Sequence, residues 1–311
     1  MLLVTGATGF VGRAVVRRAV AESREVRCLL RPSRREQSLP PGTAVSAVSA
    51  SLNDLPALRT AVGGVTAIIH LTGEEDLWNG GMQEDHVTGT ANLIAVAQEL
   101  GVRRFVCLSW LGADSASAYR LFRILGEVEA LVSGSGLDYT IVQTSLVYGA
   151  EDVFTNMLVM LAKCCPVVMP VPDAGLCRFQ PLWVEDLARC LLAAVDSGSL
   201  SGRTIQLGGP EHFTFSQLVS EVLRAAGVRR RLVNVRMPFM QWVIALLATF
   251  LPRNPTPFWW LDLLAVGSAT DLMAVPRLFG FEPCRFNQCL GYLSRPRAWR
   301  RDLIKYVTSR A

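Results

Sequence analysis

The sequence is short of charge. Only 18% of its 311 residues are Asp, Glu, Lys or Arg, and the net charge is a modest +5. That balance lacks the dense basic face of a nucleic-acid binder, so no nucleic-acid partner is expected. Histidine is scarcer still, at three residues, and the eight cysteines form no Cys-x-x-Cys pair. A metal site is therefore not expected, and the cysteines read as reduced, buried thiols of a cytosolic-type compartment. No apolar run reaches the roughly 20 residues of a membrane span. The longest, MPFMQWVIALLATFL (Met237–Leu251), holds Pro238 and is followed by Pro252, and reads as a buried or interfacial helix. Residues 2–4 already read as strand, which leaves no room for a signal peptide before them.

What is present is apolar and alternating. Half the residues are hydrophobic, with a mean hydropathy of +0.31, enough for a large core or for a face beside a membrane. The length suits one large α/β domain with a smaller lobe. LLVT, EVRCLLR, AVSAVSASL, VTAIIHLTG, RRFVCLSW and DYTIVQTSLVYG read as strands. Between them lie segments with helical spacing of apolar residues, which predicts a doubly wound, parallel Rossmann sheet. After Gly149 the alternation loosens. From about Arg229 the sequence is helical and rich in Trp, Phe and Leu, so a division into 1–228 and 229–311 is expected, with some lobe segments after 150. In the tail RPRAWRRDLIKYVTSRA, residues Trp299, Leu303, Tyr306 and Val307 share one helical face among basic residues. That fits a packed terminal helix or one that meets a membrane surface or partner.

The stretch TGATGFVG places Gly6, Gly9 and Gly12 after a strand and before a helix, with Thr8, Phe10 and Val11 between and beside them. Gly6 allows a tight turn, Gly9 lets a pyrophosphate approach the backbone, and Gly12 lets the helix pack close to the sheet. The helix N-terminus then presents free N–H groups to the anion. At the end of the second strand, where an acidic residue would bind the ribose of NAD, stands Arg31, with Arg34 and Arg35 nearby. Guanidinium groups suit a 2′-phosphate, so NADP(H) is favoured over NAD(H).

The glycine spacing resembles that of the short-chain dehydrogenase/reductase superfamily, in its extended and atypical branches, and the likeness runs over most of the chain. The resemblance implies that Ser51 and Leu52 lie beside the adenine, and that Leu71, Thr72 and Gly73 pass under the cofactor. His70 is expected to face the core. It also implies a catalytic Tyr-x-x-x-Lys pair with a serine. Tyr119 fills the tyrosine position, but Arg123 replaces the lysine. Ser109 remains, while Trp110 stands where a second serine is common. Gln143 and Thr144 replace an Arg-Pro pair. Arginine keeps the charge but not the shape of lysine.

QPLWVEDLARCLLAAVD, GRTIQLGGPEHFTFSQLVSEVLRAAG and LFGFEP further resemble the atypical, NDUFA9-like branch, typified by the 39-kDa-type accessory subunit of respiratory complex I. That resemblance implies a tightly held NADPH, little or no turnover, and a cytoplasmic place peripheral to the inner face of a membrane, beside a redox complex. Two other readings stay open: an active NADP-dependent reductase or epimerase using Tyr119 with Arg123, and a regulator that senses NADPH.

Overall fold

A computed structural model describes residues 1–32, 39, 45–71, 83–164, 167–172, 177–250, 259–295 and 297–308. In chain order the elements begin with β1 (Leu2–Thr5), α1 (Phe10–Ala21), β2 (Val26–Leu30), β3 (Ser46–Ser49), α2 (Leu55–Val62), β4 (Ala67–Leu71), α3 (Gln83–Glu99), β5 (Arg104–Trp110), α4 (Arg120–Ser133) and β6 (Tyr139–Thr144). There follow β7 (Val147–Tyr148), α5 (Val153–Cys164), β8 (Val168–Pro172), β9 (Arg178–Phe179), β10 (Leu182–Trp183), α6 (Val184–Asp196), β11 (Arg203–Leu207), β12 (Phe213–Thr214), α7 (Phe215–Ala225) and β13 (Arg231–Val235). The last are α8 (Met237–Phe250), α9 (Trp259–Val266), α10 (Ala274–Phe279), α11 (Phe286–Cys289) and α12 (Trp299–Thr308).

The chain forms two compact units that interleave in sequence. The first holds Met1–Thr144, Val184–Leu207 and Arg277–Gly280; the second holds Ser145–Trp183, Gly208–Pro276 and Phe281–Ala311. Against the division expected at 228/229, the second unit already takes Ser145–Trp183 and resumes at Gly208, while Arg277–Gly280 belongs to the first.

In the first unit seven strands form one sheet in the order β11-β6-β5-β4-β1-β2-β3, every pair parallel. This is the Rossmann order, reversing direction between β1 and β4. The strands are short and apolar because both faces are covered. Leu3, Ile68, Phe105 and Ile141 face a core with Leu58, Leu93, Ala97 and Val128 of α2, α3 and α4. Helices α1 and α6 pack together, and Arg17 and Glu185 pair across them at 3.1 Å. Asp54 caps α2 by accepting from the Ala57 N–H at 3.2 Å.

Arg104, on β5, is buried. Its guanidinium donates to Asp138 at 2.6 Å, to the Ala194 carbonyl at 3.2 and 2.8 Å, and to the Thr140 hydroxyl. It therefore ties two strands to the last turn of α6, where a cation also meets the negative end of the helix dipole.

The second unit combines helices with three two-stranded pairs, β7–β10, β9–β12 and β8–β13. Its core joins Tyr148, Met157, Phe179, Leu218, Val222 and Phe286. Thr214 and Gln217 close a capping box at the start of α7. Asp152 is buried and accepts from the Gly149 N–H, the Thr155 N–H and hydroxyl, and the Tyr292 hydroxyl. Burial raises its pKa, and those donors pull it back down. In the tail, Trp299 is buried and Leu303 and Tyr306 pack against the same core. The tail's apolar face is thus occupied within its own unit.

The cysteines require a correction. Cys28, Cys107 and Cys190 are buried thiols, but Cys284 and Cys289 form a disulfide across α11. A short helical turn brings their Cα atoms to 6.6 Å, within bridging reach. Cys165 lies outside the described residues.

Replacing Arg104 by Met is expected to lower the unfolding free energy by about 2–4 kcal/mol, because Ala194 and Asp138 lose a charged donor. Urea unfolding measures this, and a loss under about 0.5 kcal/mol would show the cluster to be dispensable.

Candidate cofactor site

The site grows from the end of β1, at the reversal of strand order. Gly6 has a φ of +66°, in the region that favours glycine. A Cβ there would lie 2.8 Å from the Leu71 carbonyl oxygen at the end of β4. The loop turns back through a Gly9 N–H to Gly6 carbonyl bond of 3.0 Å. Gly9 is the N-cap of α1 and supplies no capping side chain, so the first-turn N–H groups of Phe10, Val11 and Gly12 have no side-chain acceptor from the cap. A Cβ on Gly12 would fall on the Gly6 carbonyl and lie 2.7 Å from the Ala7 Cα. Arg13 Nε donates to the Thr8 carbonyl at 3.0 Å and steadies the outer rim. The result is a backbone cradle that side chains would fill, with the positive end of a helix dipole at its floor.

Under the cradle lies a hydrogen-bond chain that sequence reading did not find. The Leu71 N–H donates to Thr5 Oγ1 at 3.2 Å, and Thr5 Oγ1 meets His70 Nδ1 at 2.8 Å. His70 Nε2 meets Thr90 Oγ1 at 3.1 Å, and that hydroxyl donates to the His86 carbonyl at 2.8 Å. Since the Thr90 proton goes to His86, His70 Nε2 carries its own proton and Nδ1 accepts from Thr5. Every partner is satisfied with a neutral ring. Burial, with His86 as the smaller cause, pushes the His70 pKa down to about 4. His70 therefore faces the core, as expected, and pins β1, β4 and α3 together.

The remaining expected cofactor residues are placed unevenly. Arg31 follows β2 directly and is exposed. Arg34, Arg35, Thr72 and Gly73 lie outside the described residues. Ser51 forms a turn, its carbonyl accepting from the Asp54 N–H at 3.1 Å. The Leu52 carbonyl accepts from Asn92 Nδ2 at 3.1 Å, and the Leu52 side chain covers Gly89, where a Cβ would meet it at 2.9 Å. Asn92 and Gly89 were legible only as helix positions.

The expected catalytic trio is not linked. Tyr119 is the N-cap of α4 and rests edge-on against Phe122, with ring centroids 6.4 Å apart. Arg123 donates through Nη1 to the Ser117 carbonyl at 3.1 Å. Ser109 is buried, and its hydroxyl makes no well-formed hydrogen bond. It lies near enough to Glu129 to oppose the rise that burial imposes on that carboxylate's pKa. Among the described residues no hydrogen bond joins Ser109, Tyr119 and Arg123 to one another. Trp110 is buried at the end of β5, in register with Thr144. Gln143 gives its amide to both Glu129 oxygens at 3.0 and 2.9 Å and accepts from Gln206 at 3.0 Å.

Gly126 explains the loop before α4. A Cβ there would collide with the backbone of Asp114 and Ser115. An isolated glycine inside a helical pattern costs about 1 kcal/mol, and such a cost signals a close approach. Asp114 fixes the same loop by accepting from the Ala116 N–H at 2.8 Å.

The sheet order and glycine cradle define an NAD(P)H-binding Rossmann protein. Residues 6–153 match the family model described as NAD(P)H-binding. The chain is 30% identical over 225 residues to NADH dehydrogenase [ubiquinone] 1 alpha subcomplex subunit 9, mitochondrial, of Arabidopsis thaliana, covering 69% of this chain but 55% of that protein. It is 25% identical over 240 residues to the photosystem II assembly factor Ycf39 of Cyanophora paradoxa, covering 77% and 73%. The fold matches an NADPH-dependent quinone oxidoreductase of Escherichia coli solved with NADPH. The TM-score is 0.74 at 20% identity, covering 95% of this chain and 100% of that one. The chain thus carries an NAD(P)H-binding domain over residues 6–153 and is similar to members of the atypical short-chain dehydrogenase/reductases.

The neutral His70 makes acid costly. The unfolded chain takes up this proton near pH 6.5, whereas the folded one resists to about 4. Stability is complete above pH 6.5 and falls as pH drops through that window, by about 3 kcal/mol in all. His70→Asn removes this titration. The difference in unfolding free energy between wild type and variant should shrink steadily from pH 7 to pH 4.5, and a constant difference would refute the assignment.

Proposed function

We propose that the chain holds NADP(H) tightly, turns it over weakly or not at all, and serves as an accessory or assembly protein of a membrane redox complex. The observation that carries this reading is an intact glycine cradle beside a Ser109–Tyr119–Arg123 set that, among the described residues, no hydrogen bond joins. Gly6, Thr8, Gly9, Phe10, Val11 and Gly12 hold the pyrophosphate, and Arg31 with Arg34 and Arg35 meets the 2′-phosphate. Ser51 and Leu52 border the adenine, and Leu71, Thr72 and Gly73 line the floor. A bound nicotinamide supplies hydride transfer when a partner proton donor is in place. In this chain the Arg123 guanidinium donates to the Ser117 carbonyl. The names of the plant complex I subunit and of the photosystem assembly factor support the accessory role. Among the described residues no helix is long and apolar enough to cross a membrane, so the contact with such a complex is peripheral in this reading.

Gly9→Asp separates binding from folding. Aspartate is a favoured N-cap, and Gly9 has ordinary φ and ψ, so α1 should form as before. The added carboxylate sits where the pyrophosphate must lie. Purified wild type is expected to carry NADP(H), identified by mass and absorbance, and the variant to lose it at least about tenfold. A wild-type protein that carries and binds no nucleotide would overturn the reading. Turnover of the endogenous cofactor that vanishes in Tyr119→Phe would establish the reductase alternative instead.

A further inference from the structure

Helix α8 is apolar on two opposite faces, and only one of them is covered. Met237, Met240 and Ile244 face the core of the second unit, and Ile244 is 3% exposed. Phe239, Trp242 and Leu246 repeat the same three- and four-residue spacing on the outward side, at 57%, 61% and 44% exposure. The Phe239 and Trp242 rings lie 6.0 Å apart, forming one continuous aromatic ridge. A helix that is hydrophobic all round is normally buried. Here the helix contains no charged residue at all.

The charges flank it instead, and they have one sign. Between Glu221 and Asp262 the sequence has no acidic residue, but it has Arg224, Arg229, Arg230, Arg231, Arg236 and Arg253. Arg229, Arg231 and Arg236 are exposed. Val168 and Val233, on the paired strands β8 and β13, add further exposed apolar surface just before the helix.

We infer that α8 lies flat in the surface of an anionic lipid bilayer, with Phe239, Trp242 and Leu246 inserted and Arg229, Arg231 and Arg236 at the headgroups. Fourteen residues are too short to span the hydrocarbon but suffice for an interfacial helix. The outward face offers no charged group, and its Thr249 hydroxyl is already bonded to the Ala245 carbonyl at 3.0 Å. Trp, Phe and Leu on one face with arginines beside it is the composition of a helix lying in the headgroup–acyl boundary. Arginines add attraction to anionic headgroups, which salt screens. The inference rests on the proposed membrane-side role for its setting, but its test is separate.

The full chain would be floated with vesicles of phosphatidylcholine alone and of phosphatidylcholine with phosphatidylglycerol, with nucleotide retention measured in the same preparations. Binding is expected only to the anionic vesicles, to weaken with salt, and to fall about tenfold or more in the double variant Phe239→Ser, Trp242→Ser. Arg231→Gln with Arg236→Gln should weaken it and flatten its salt dependence. Retained nucleotide in the variants shows that they are folded. A wild type that ignores both vesicles, or a double variant that binds as well as wild type, overturns the inference. So does a wild-type dimer that the double variant dissolves, which would assign the ridge to a second copy. Loss of nucleotide from wild type would sink the proposed function and leave the vesicle result standing.

Discussion

Everything at the cofactor end of the first unit depends on one uncharged imidazole. His70 joins the ends of β1, β4 and α3 through two threonine hydroxyls, and each atom in the chain of bonds has its partner. Those two strands bound the point where the sheet reverses its order. Because Gly6 follows Thr5 and Leu71 follows His70, the imidazole sets the spacing between the turn and the strand it nearly touches. A charged ring would make Nδ1 a donor and deprive the Thr5 hydroxyl proton of its acceptor. Burial, with His86 as the smaller cause, already disfavours that state and lowers the pKa.

The same economy marks the places where the chain departs from its relatives. Gln143 stands where the superfamily has arginine, and it satisfies Glu129 with neutral hydrogen bonds passed on to Gln206. Arg123 stands where lysine is expected, and its planar fork reaches a backbone carbonyl in the preceding loop. Trp110 fills buried space at the end of β5. Each of these side chains is accommodated, while the neighbouring Ser109 keeps a buried hydroxyl without a well-formed hydrogen bond.

Much of this was legible in the sequence because it rests on short-range rules. Short, nearly continuous apolar strands and a glycine loop between strand and helix announce the sheet, the cradle and the inward-facing His70. The capping box at Thr214 and the acidic first turn of α6 could likewise be read from neighbouring residues. What stayed hidden joins residues far apart in the chain. The partners of His70, the clamp of the 114–117 loop on Gly126, and the bond from Asn92 to Leu52 each need the fold before they exist. The Cys284–Cys289 bridge was missed for another reason: compartment logic applied to the whole cysteine set overrode a local spacing that a helical turn can close. The sequence left α8 open between a buried and an interfacial helix, because an apolar stretch declares only that it avoids water.

The interleaving of the two units also bears on how the protein is made. β6 ends at Thr144, but its sheet neighbour β11 begins only at Arg203, and α6 precedes it from Val184. As the chain leaves the ribosome, the cofactor-binding sheet must wait with one edge unpaired and the face of α1 uncovered while the first segment of the other unit emerges. The nucleotide loop emerges ahead of β2 to β6, whereas the α6–β11 segment that covers α1 and pairs with β6 emerges late. Until α6 and β11 arrive, β6 therefore stands as an open edge of the sheet.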